Sequence, residues 1–323
     1  MNKKSLIISI VFVVVLIFAL GAFENAKPQQ SDDGTFYFHQ FEDFSNKKVT
    51  LTKKPQKVAV LFSSLADVWE LAGGDVAITV GESIERGICD ENVLLVDAGA
   101  GKTIDVELLL AYEPDFVIYS LDVEAQVKAA EVLKKNKIPT AGMRIDGVED
   151  YIKALTICTS LLDNEENLKK YGEDILQEIE DIRNKAILSS YMPTVLFIRS
   201  GSSSSSAKAK KADDNFAAKM LEDLGCINIA DEEEILLDNL SIEEILLKNP
   251  SHIFISIMGD EEAGKAYMQS LITSESWKEL SAVTNGNVHY LPKDLFHYKP
   301  CERWAESYEY LYEILYSGEI IEE

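Results

Sequence analysis

The chain has 323 residues, of which 55 are acidic and 31 are basic, and its formal net charge at pH 7 is −24. So large an acidic excess argues against a nucleic-acid partner and against electrostatic adhesion to anionic lipid. Roughly 290 residues follow Ser31, which is enough for two lobes that each have a core of their own.

The N-terminal segment predicts export. Two lysines are followed by an apolar run from Leu6 to Phe23, and a helix of that length spans about 27 Å, close to the hydrocarbon core of a bilayer. We therefore predict that residues 1–23 form a membrane anchor that leaves the rest of the chain outside the cytoplasm, joined by a polar tether at residues 24–35. The alternative is a signal peptide that is cleaved, in which case the protein is secreted.

Residues 36–163 are predicted to form an N-terminal α/β lobe. A small hairpin around Asn46 is followed by strands that alternate with helices, and the strands are nearly continuous apolar runs. This pattern is typical of a parallel sheet with helices on both faces. The strands are predicted at residues 58–62, 76–80 and 139–143, with helices at residues 65–72 and 123–135.

Residues 164–190 are predicted to form one long helix that joins the lobes. Apolar residues recur there at spacings of three or four, from Leu168 to Ala186, as expected for an amphipathic helix of about 24 residues. An ordinary surface helix within one lobe is the alternative.

Residues 191–323 are predicted to form the C-terminal α/β lobe. The predicted elements are a strand at residues 194–198, a helix at residues 215–224, a strand at residues 286–291 and a helix at residues 302–316. The serine-rich run 202–206 is predicted to be a loop at the cleft mouth, between a strand and a helix. Its alternative role is flexible filler.

A repeat connects the two lobes. Residues 104–120 and 240–256 align without a gap at an offset of 136 residues. Each copy reads as a polar cap, a short helix with a glutamate in its first turn, a proline and an apolar strand. Two similar α/β lobes with a ligand cleft between them are the simplest interpretation.

Candidate ligand contacts follow from the predicted strand ends, because open parallel sheets bind ligands beyond the carboxyl ends of their strands. Cations at three of these ends indicate a positive cleft for an anionic ligand, with solvated loop charges as the alternative. The residues at the strand ends are Ser63, Ser64, Tyr119, Arg144, Arg199, Ser200, Met258 and Lys293.

The loop after the final strand adds Phe296, His297 and Tyr298 to the candidate site. These side chains are suited to stack on a metal complex or to ligate it, although core packing by Phe296 and Tyr298 explains the aromatic residues equally well. The four cysteines and four histidines show no metal-ligand spacing, and Cys158 fits an apolar helical pattern as a core residue. We therefore predict no protein metal site and no intrinsic cofactor. The sequence contains no GxSxG nucleophile motif, and we predict no catalytic apparatus.

The order of elements from about Phe36 to Tyr316 resembles the helical-backbone class (class III) of ABC-transporter substrate-binding proteins, which are periplasmic-binding-protein-like and take up ferric siderophores, haem and cobalamin. The stretches that carry the resemblance are residues 214–231, 240–256, 258–265, 291–300 and 302–304.

The resemblance implies that the protein captures an iron(III) chelate outside the cytoplasm and delivers it to an ABC permease. By position, Glu107 and Glu243 would dock on the permease, while stabilisation of a helix N-terminus is the simpler explanation of each glutamate. A corrinoid or haem could take the place of the iron chelate as the ligand. A chelatase-like enzyme on the same scaffold, or a sensor that hands its ligand to a receptor, would instead change the class of function.

Overall fold

The computed structural model describes residues 29–30, 36–97, 103–201, 203, 206–231, 233–238 and 240–316. The predicted anchor, most of the predicted tether and residues 202, 204 and 205 of the serine-rich loop lie outside these ranges. Within them, no helix combines the length and apolar character needed to cross a membrane. The chain divides into two compact units, unit 1 (Met1–Asp174) and unit 2 (Ile175–Glu323).

Unit 1 alternates strands and helices, as predicted. Its strands are β1 (Gln29–Gln30), β2 (Phe36–Tyr37), β3 (His39–Glu42), β4 (Lys48–Leu51), β5 (Val58–Val60), β6 (Val76–Thr79), β7 (Leu94–Leu95), β8 (Phe116–Ser120) and β9 (Thr140–Met143). Its helices are α1 (Ser63–Leu71), α2 (Gly81–Glu85), α3 (Val106–Ala111), α4 (Glu124–Lys135), α5 (Val148–Leu162) and α6 (Glu165–Leu168).

The main sheet of unit 1 has five parallel strands in the order β7-β6-β5-β8-β9. Strand order therefore reverses between β5 and β8, and a crevice at the carboxyl ends of those two strands is the expected ligand position in such a sheet. Every residue of β8 is buried, which accounts for its uninterrupted apolar sequence.

The predicted hairpin is present as β3 and β4, with Asn46 in the left-handed region at φ 57°. Buried Asp43 holds its turn, because one carboxylate oxygen accepts hydrogen bonds from the backbone N–H groups of Ser45 (2.8 Å) and Lys47 (3.0 Å). The other oxygen accepts a bond from the Gly142 N–H at 3.1 Å, which fixes the hairpin to β9.

Unit 2 repeats the alternation of strands and helices. Its strands are β10 (Thr194–Ser200), β11 (Lys208–Ala209), β12 (Ile227–Asn228), β13 (His252–Ile257) and β14 (Val288–Tyr290). Its helices are α7 (Asp174–Leu188), α8 (Phe216–Asp223), α9 (Glu234–Asp238), α10 (Ile242–Lys248), α11 (Glu261–Ile272), α12 (Ser281–Thr284), α13 (Lys293–Phe296) and α14 (Trp304–Tyr316).

The sheet of unit 2 is parallel in β12, β10, β13 and β14, and β11 adds an antiparallel strand beside the carboxyl half of β10. The sequence order of the parallel strands reverses between β10 and β13, so the switch point of unit 2 lies at the ends of those strands. The α/β class with mainly parallel sheets is thus confirmed in both units.

The segment predicted as one long helix is helical from Glu165 to Leu188, but its pitch changes. Residues Lys169–Glu173 between α6 and α7 form a π-helical turn. Gly172 faces the core there, and a Cβ at that position would lie 3.3 Å from Leu155 and Leu168. A strict period of 3.6 residues does not anticipate such an insertion.

The repeated segments adopt the same local structure. Each gives a short helix (α3 or α10), a buried proline and a buried strand (β8 or β13). Glu113 and Asn249, which occupy equivalent positions in the two copies, both have left-handed backbone conformation, at φ 50° and 44°. The caps differ: Asp105 accepts a bond from the Leu108 N–H, whereas Ser241 makes no side-chain cap bond.

Two predicted loops differ from the structure. The serine-rich run was expected between a strand and a helix, but it connects β10 to the antiparallel strand β11, which has two residues and is too short to show period-two alternation. The residues after β14 were expected to be a loop, but they begin with the single-turn helix α13. The prediction also omitted the 12-residue helix α11 and several short elements that carry little periodicity, including α2, β7, β12 and α12.

Candidate ligand-binding edges of the two units

The serine hydroxyls at the carboxyl edge of unit 1 already have partners. Ser63 and Ser64 begin α1 directly after β5 and are 1% and 2% exposed. Arg86, which follows α2, donates from Nη1 to both hydroxyl oxygens at 3.0 Å. Ser63 in turn donates to Glu82, and Nη2 of Arg86 lies 3.8 Å from an oxygen of Asp67. These hydroxyls therefore belong to a polar network within unit 1.

Tyr119 is a core residue of unit 1, with 2% of its surface exposed. Burial raises the pKa of its phenol, and the negative charges of Asp43 and Glu131 raise it further. A contact between this side chain and a ligand would require the surrounding core to rearrange.

Arg144 follows β9 and is half exposed. Its Nε lies 3.3 Å from a carboxylate oxygen of Asp146, which is also exposed. An ion pair of this kind contributes little to stability because solvent screens it, so Arg144 is free to exchange partners.

Arg199 stands apart from the other cations. It lies near the end of β10 at the switch point of unit 2, where its Cα partners are Ser256 on β13 and Lys208 on β11. The side chain is half-buried, and burial lowers its pKa. Among the residues that the structure describes, its guanidinium has no hydrogen bond and no ion pair. A cation removed from water without a partner is costly for a fold to maintain.

Ser200 and Met258 continue the ends of β10 and β13. Ser200 is fully buried, and its hydroxyl donates to the Gly201 carbonyl at 2.9 Å. The Met258 N–H donates to the Ser200 carbonyl at 2.7 Å, which leaves the half-buried Met258 side chain at the edge of the sheet.

The segment after β14 places its aromatic residues in two environments. Phe296 is 1% exposed and packs on Tyr310 at a centroid distance of 5.6 Å, so it is a core side chain. His297 and Tyr298 are half-buried, with ring centroids 5.0 Å apart. Nζ of Lys293 lies 5.4 Å from the centre of the Tyr298 ring, which groups a cation, an imidazole and a phenol.

The two repeated glutamates are exposed. Glu107 lies in the first turn of α3, and Glu243 lies in the first turn of α10, where it accepts a bond of 3.2 Å from the Ser241 hydroxyl. Exposure leaves both carboxylates accessible to a partner. Permease docking by these residues, like ligand contact by the residues above, stays a prediction.

Sequence reasoning missed two cations at these edges. Arg86 follows β6 by way of α2, and the rule of strand ends would have found it had that short helix been predicted. Lys208 lies on β11, and only the pairing of β11 with β10 brings it opposite Arg199.

All four cysteines lie within the described residues, and none of them forms a disulfide. Cys158 is fully buried in α5, as predicted, and burial raises the pKa of its thiol to about 12. Burial likewise raises the pKa of the Cys226 thiol to about 12.

Residues 58–295 match the sequence profile of a family described as periplasmic binding protein. No curated protein sequence is significantly similar to the chain.

Solved structures with a similar fold are numerous. An ABC transporter substrate-binding protein from Listeria monocytogenes EGD-e superposes with a TM-score of 0.66 at 17% identity, over 82% of this chain and 100% of that one. S. aureus IsdE complexed with heme gives a TM-score of 0.66 at 16% identity, over 80% and 98% of the two chains. Staphylococcus aureus SirA complexed with staphyloferrin B gives a TM-score of 0.65 at 18% identity, over 86% of this chain and 97% of that one.

Proposed function

The chain belongs to the periplasmic binding protein family, and from that premise we propose that it is the extracytoplasmic substrate-binding component of an ABC importer for an iron(III) chelate. The fold is shared with a substrate-binding protein of an ABC transporter and with a protein complexed with staphyloferrin B. Both likenesses support the proposal at the level of the fold.

The observation that carries the proposal is Arg199. Guanidinium groups bind carboxylates and similar oxygen anions through paired hydrogen bonds. Arg199 lies at the switch point of its sheet, is half-buried and has no partner among the described residues. In a chain with net charge −24, carboxylates are abundant, yet none of those described pairs with it. A ligand that carries negatively charged oxygens completes this arrangement.

A binding screen tests the proposal. The purified full chain is titrated calorimetrically with ferric siderophores of the carboxylate, catecholate and hydroxamate types, with haemin and with cyanocobalamin. We expect saturable binding of one ferric siderophore, recovered unchanged from the complex. Failure of every iron chelate to bind would refute the proposal, and binding of cyanocobalamin alone would favour a corrinoid carrier. Conversion of the bound chelate to a product would favour a chelatase-like enzyme.

Glu107 and Glu243 are proposed to dock the protein on the permease. Both are exposed, they occupy the same position of the two repeat copies, and two separated carboxylates fix orientation and speed association more than they raise affinity. Replacement of both by lysine should abolish chelate uptake by cells without changing the affinity of the purified protein for its ligand.

The matched control replaces Glu124 and Glu261 by lysine. These glutamates occupy the first turn of α4 and α11, so the change of charge and the loss of helix-dipole stabilisation are matched, and each control substitution also breaks an ion pair, with Lys128 or with Lys265. The control should retain uptake. Equal loss in both double variants would show that helix stabilisation, rather than docking, explains the repeated glutamates.

Haem is the second candidate ligand. His297 and Tyr298 lie half-buried beside Lys293, a set that offers an axial imidazole or phenolate for iron and a cation for a propionate. If haem is the ligand, haemin bound to the wild-type protein should show a Soret band displaced from that of free haemin. In His297→Ala the band should lie closer to the free position, and this result would favour haem over a siderophore.

Residues 1–23 are proposed to anchor the protein in the membrane after export. Edman sequencing of the exported protein should find the N-terminal sequence that begins at Met1. A new N-terminus near Ala22 would identify the segment as a cleaved signal peptide.

A further inference from the structure

The cross-strand neighbour of Arg199 on β11 is another cation. Arg199 and Lys208 are direct Cα partners in the antiparallel pairing of β10 with β11. Directly opposed residues of an antiparallel pair project from the same face of the sheet, with Cβ atoms roughly 5 Å apart. Like charges in this relation destabilise the pair, and a fold normally separates them or places a carboxylate between them.

The opposite face of β11 packs against the core of unit 2. Ala209, which alternates with Lys208, is fully buried in a cluster with Ile198 of β10 and Leu236 of α9. Because side chains alternate along a strand, Lys208 and Arg199 both project away from this core cluster. The two cations therefore share the face of the sheet that the cluster does not cover.

Neither cation is neutralised within the described part of the chain. Lys208, like Arg199, has no hydrogen bond or ion pair from its side chain there. Four other lysines of unit 2 are neutralised: Lys219, Lys248, Lys265 and Lys278 all lie within 3.1 Å of a carboxylate oxygen. A pair of half-buried, opposed cations has been retained in a chain with net charge −24.

We propose that Arg199 and Lys208 form a two-point clamp for a carboxylate-bearing anionic ligand. The inference rests on the proposed function and narrows it, since it selects anionic chelates over neutral corrinoids and cationic hydroxamate complexes. Arg199 supplies a planar pair of donors for a carboxylate, and Lys208 supplies a compact charge for the same or an adjoining oxygen. The bound anion removes the repulsion between the two cations. Binding of an anion by both cations is therefore more favourable in free energy than binding by either cation alone.

The experiment uses the purified full chain, with citrate and ferric citrate as anionic probes and ferrioxamine B and cyanocobalamin as the cationic and neutral probes. Affinities are measured by calorimetry at constant ionic strength, and unfolding midpoints are recorded with and without each probe. We expect the wild-type protein to bind ferric citrate with a saturable rise of its midpoint. Arg199→Gln and Lys208→Gln should each weaken that binding about tenfold or more.

A matched control and a ligand-free measurement complete the test. Lys278→Gln removes the same charge from an exposed ion pair with Glu275 and should bind like the wild type. Without any probe and at low salt, Lys208→Gln should raise the unfolding midpoint because it relieves the repulsion on Arg199. A fall of that midpoint would contradict the opposed-cation interpretation.

The outcomes separate this inference from the proposed function. Binding of ferrioxamine B without binding of either anionic probe would overturn the clamp and leave iron(III)-chelate transport standing. Binding of cyanocobalamin alone would overturn both the clamp and the iron(III)-chelate proposal. Ferric citrate bound equally by the wild type and Lys208→Gln would also overturn it. Citrate that binds through both cations, in a protein that binds no metal chelate, would support the clamp and refute the proposed function.

Discussion

The carboxyl edges of the two sheets carry cations in opposite surroundings. In unit 1, Arg86 donates to the hydroxyls of Ser63 and Ser64 and lies beside Asp67. In unit 2, Arg199 has no such partner among the described residues and faces Lys208. Both sheets reverse strand order next to these positions, so topology alone does not distinguish them.

This difference separates a structural charge from a binding charge. A cation with its full set of partners stabilises the native state, and removal of that cation leaves the partners unsatisfied. A half-buried cation without partners contributes nothing to the fold and costs solvation free energy until a ligand arrives. Replacement of Arg86 in unit 1 should therefore lower stability, whereas replacement of Arg199 in unit 2 should lower ligand affinity and leave stability intact.

The largest effect is expected from Arg86→Met compared with Arg199→Met. The first change should lower the free energy of unfolding by about 3 kcal/mol, because it removes the cation beside Asp67 and the donor to two buried hydroxyls, at a site that is largely shielded from solvent. The second should leave stability unchanged or raise it. Urea unfolding followed by circular dichroism measures both, with separate transitions fitted if the two units unfold independently.

Equal losses of stability in these two variants would contradict the comparison. Arg86→Lys is the control for charge alone, since it keeps the cation but loses the paired geometry to the two serines. Its stability should lie between those of the wild type and Arg86→Met.

The next effect concerns affinity. Arg199→Ala should weaken binding of an anionic chelate by about 2 kcal/mol, because a hydrogen-bonded charge is lost from a half-buried site. Arg144→Ala should cost less than about 0.5 kcal/mol, since that side chain is exposed and already shares its charge with Asp146. Isothermal titration of both variants decides the matter, and a larger loss in Arg144→Ala would move the anion to unit 1.

Long, strongly patterned features could be predicted from the sequence. The apolar runs of β8 and β13 indicated buried parallel strands, and the repeat located α3 and α10 correctly. Their equivalence extends to the left-handed residues Glu113 and Asn249, which precede the two prolines. In each case local sequence and tertiary packing favour the same structure.

The pairing of short strands could not be predicted. Two residues of β11 show no period, so nothing in the sequence placed Lys208 opposite Arg199. Nor does a sequence show which side chains neutralise one another: Ser63 and Ser64 follow a strand end, as ligand residues do, yet Arg86 occupies their hydroxyls. Partner choice depends on tertiary contacts between residues that are distant in sequence.

A smaller effect compares how the helix from Glu165 to Leu188 is held in each unit. In unit 2, the Tyr308 hydroxyl donates to Asp223 at 2.6 Å and accepts from Arg183 of α7 at 2.8 Å. In unit 1, the Tyr151 hydroxyl donates to the Tyr171 carbonyl at 2.7 Å. Tyr308→Phe should cost about 2 kcal/mol because charged partners are involved, and Tyr151→Phe about 1 kcal/mol.

Unfolding in urea measures this pair of variants as well. The substitution is identical in both, so differences in packing volume cancel and only the lost hydroxyl remains. A greater loss in Tyr151→Phe would show that the π-helical turn, rather than the Arg183–Asp223 ion pair, is the stronger attachment of the helix.

The smallest effect is the response of unit 2 to acid. Nδ1 of His252 lies 3.3 Å from Nε2 of His289. Burial, and to a smaller extent the charge of the neighbouring His252, lower the pKa of His289 to about 4. An unfolded histidine takes up its proton near pH 6.5, so between pH 6.5 and 4 the unfolded chain binds more protons than the native one. Stability from this site is therefore complete above pH 6.5 and declines as the pH falls towards 4.

This site should lower the free energy of unfolding by about 1 kcal/mol between pH 7 and pH 5, once solvent screening of the partly exposed ring is allowed for. His289→Gln should remove that decline. His39→Gln provides the comparison in unit 1, where burial also lowers the pKa of the imidazole but the charge of Asp163 opposes the shift. Its effect on the pH dependence should be smaller. Chemical unfolding at the two pH values measures both variants, and parallel curves for His289→Gln and the wild type would mean that the facing histidines do not destabilise unit 2 in acid.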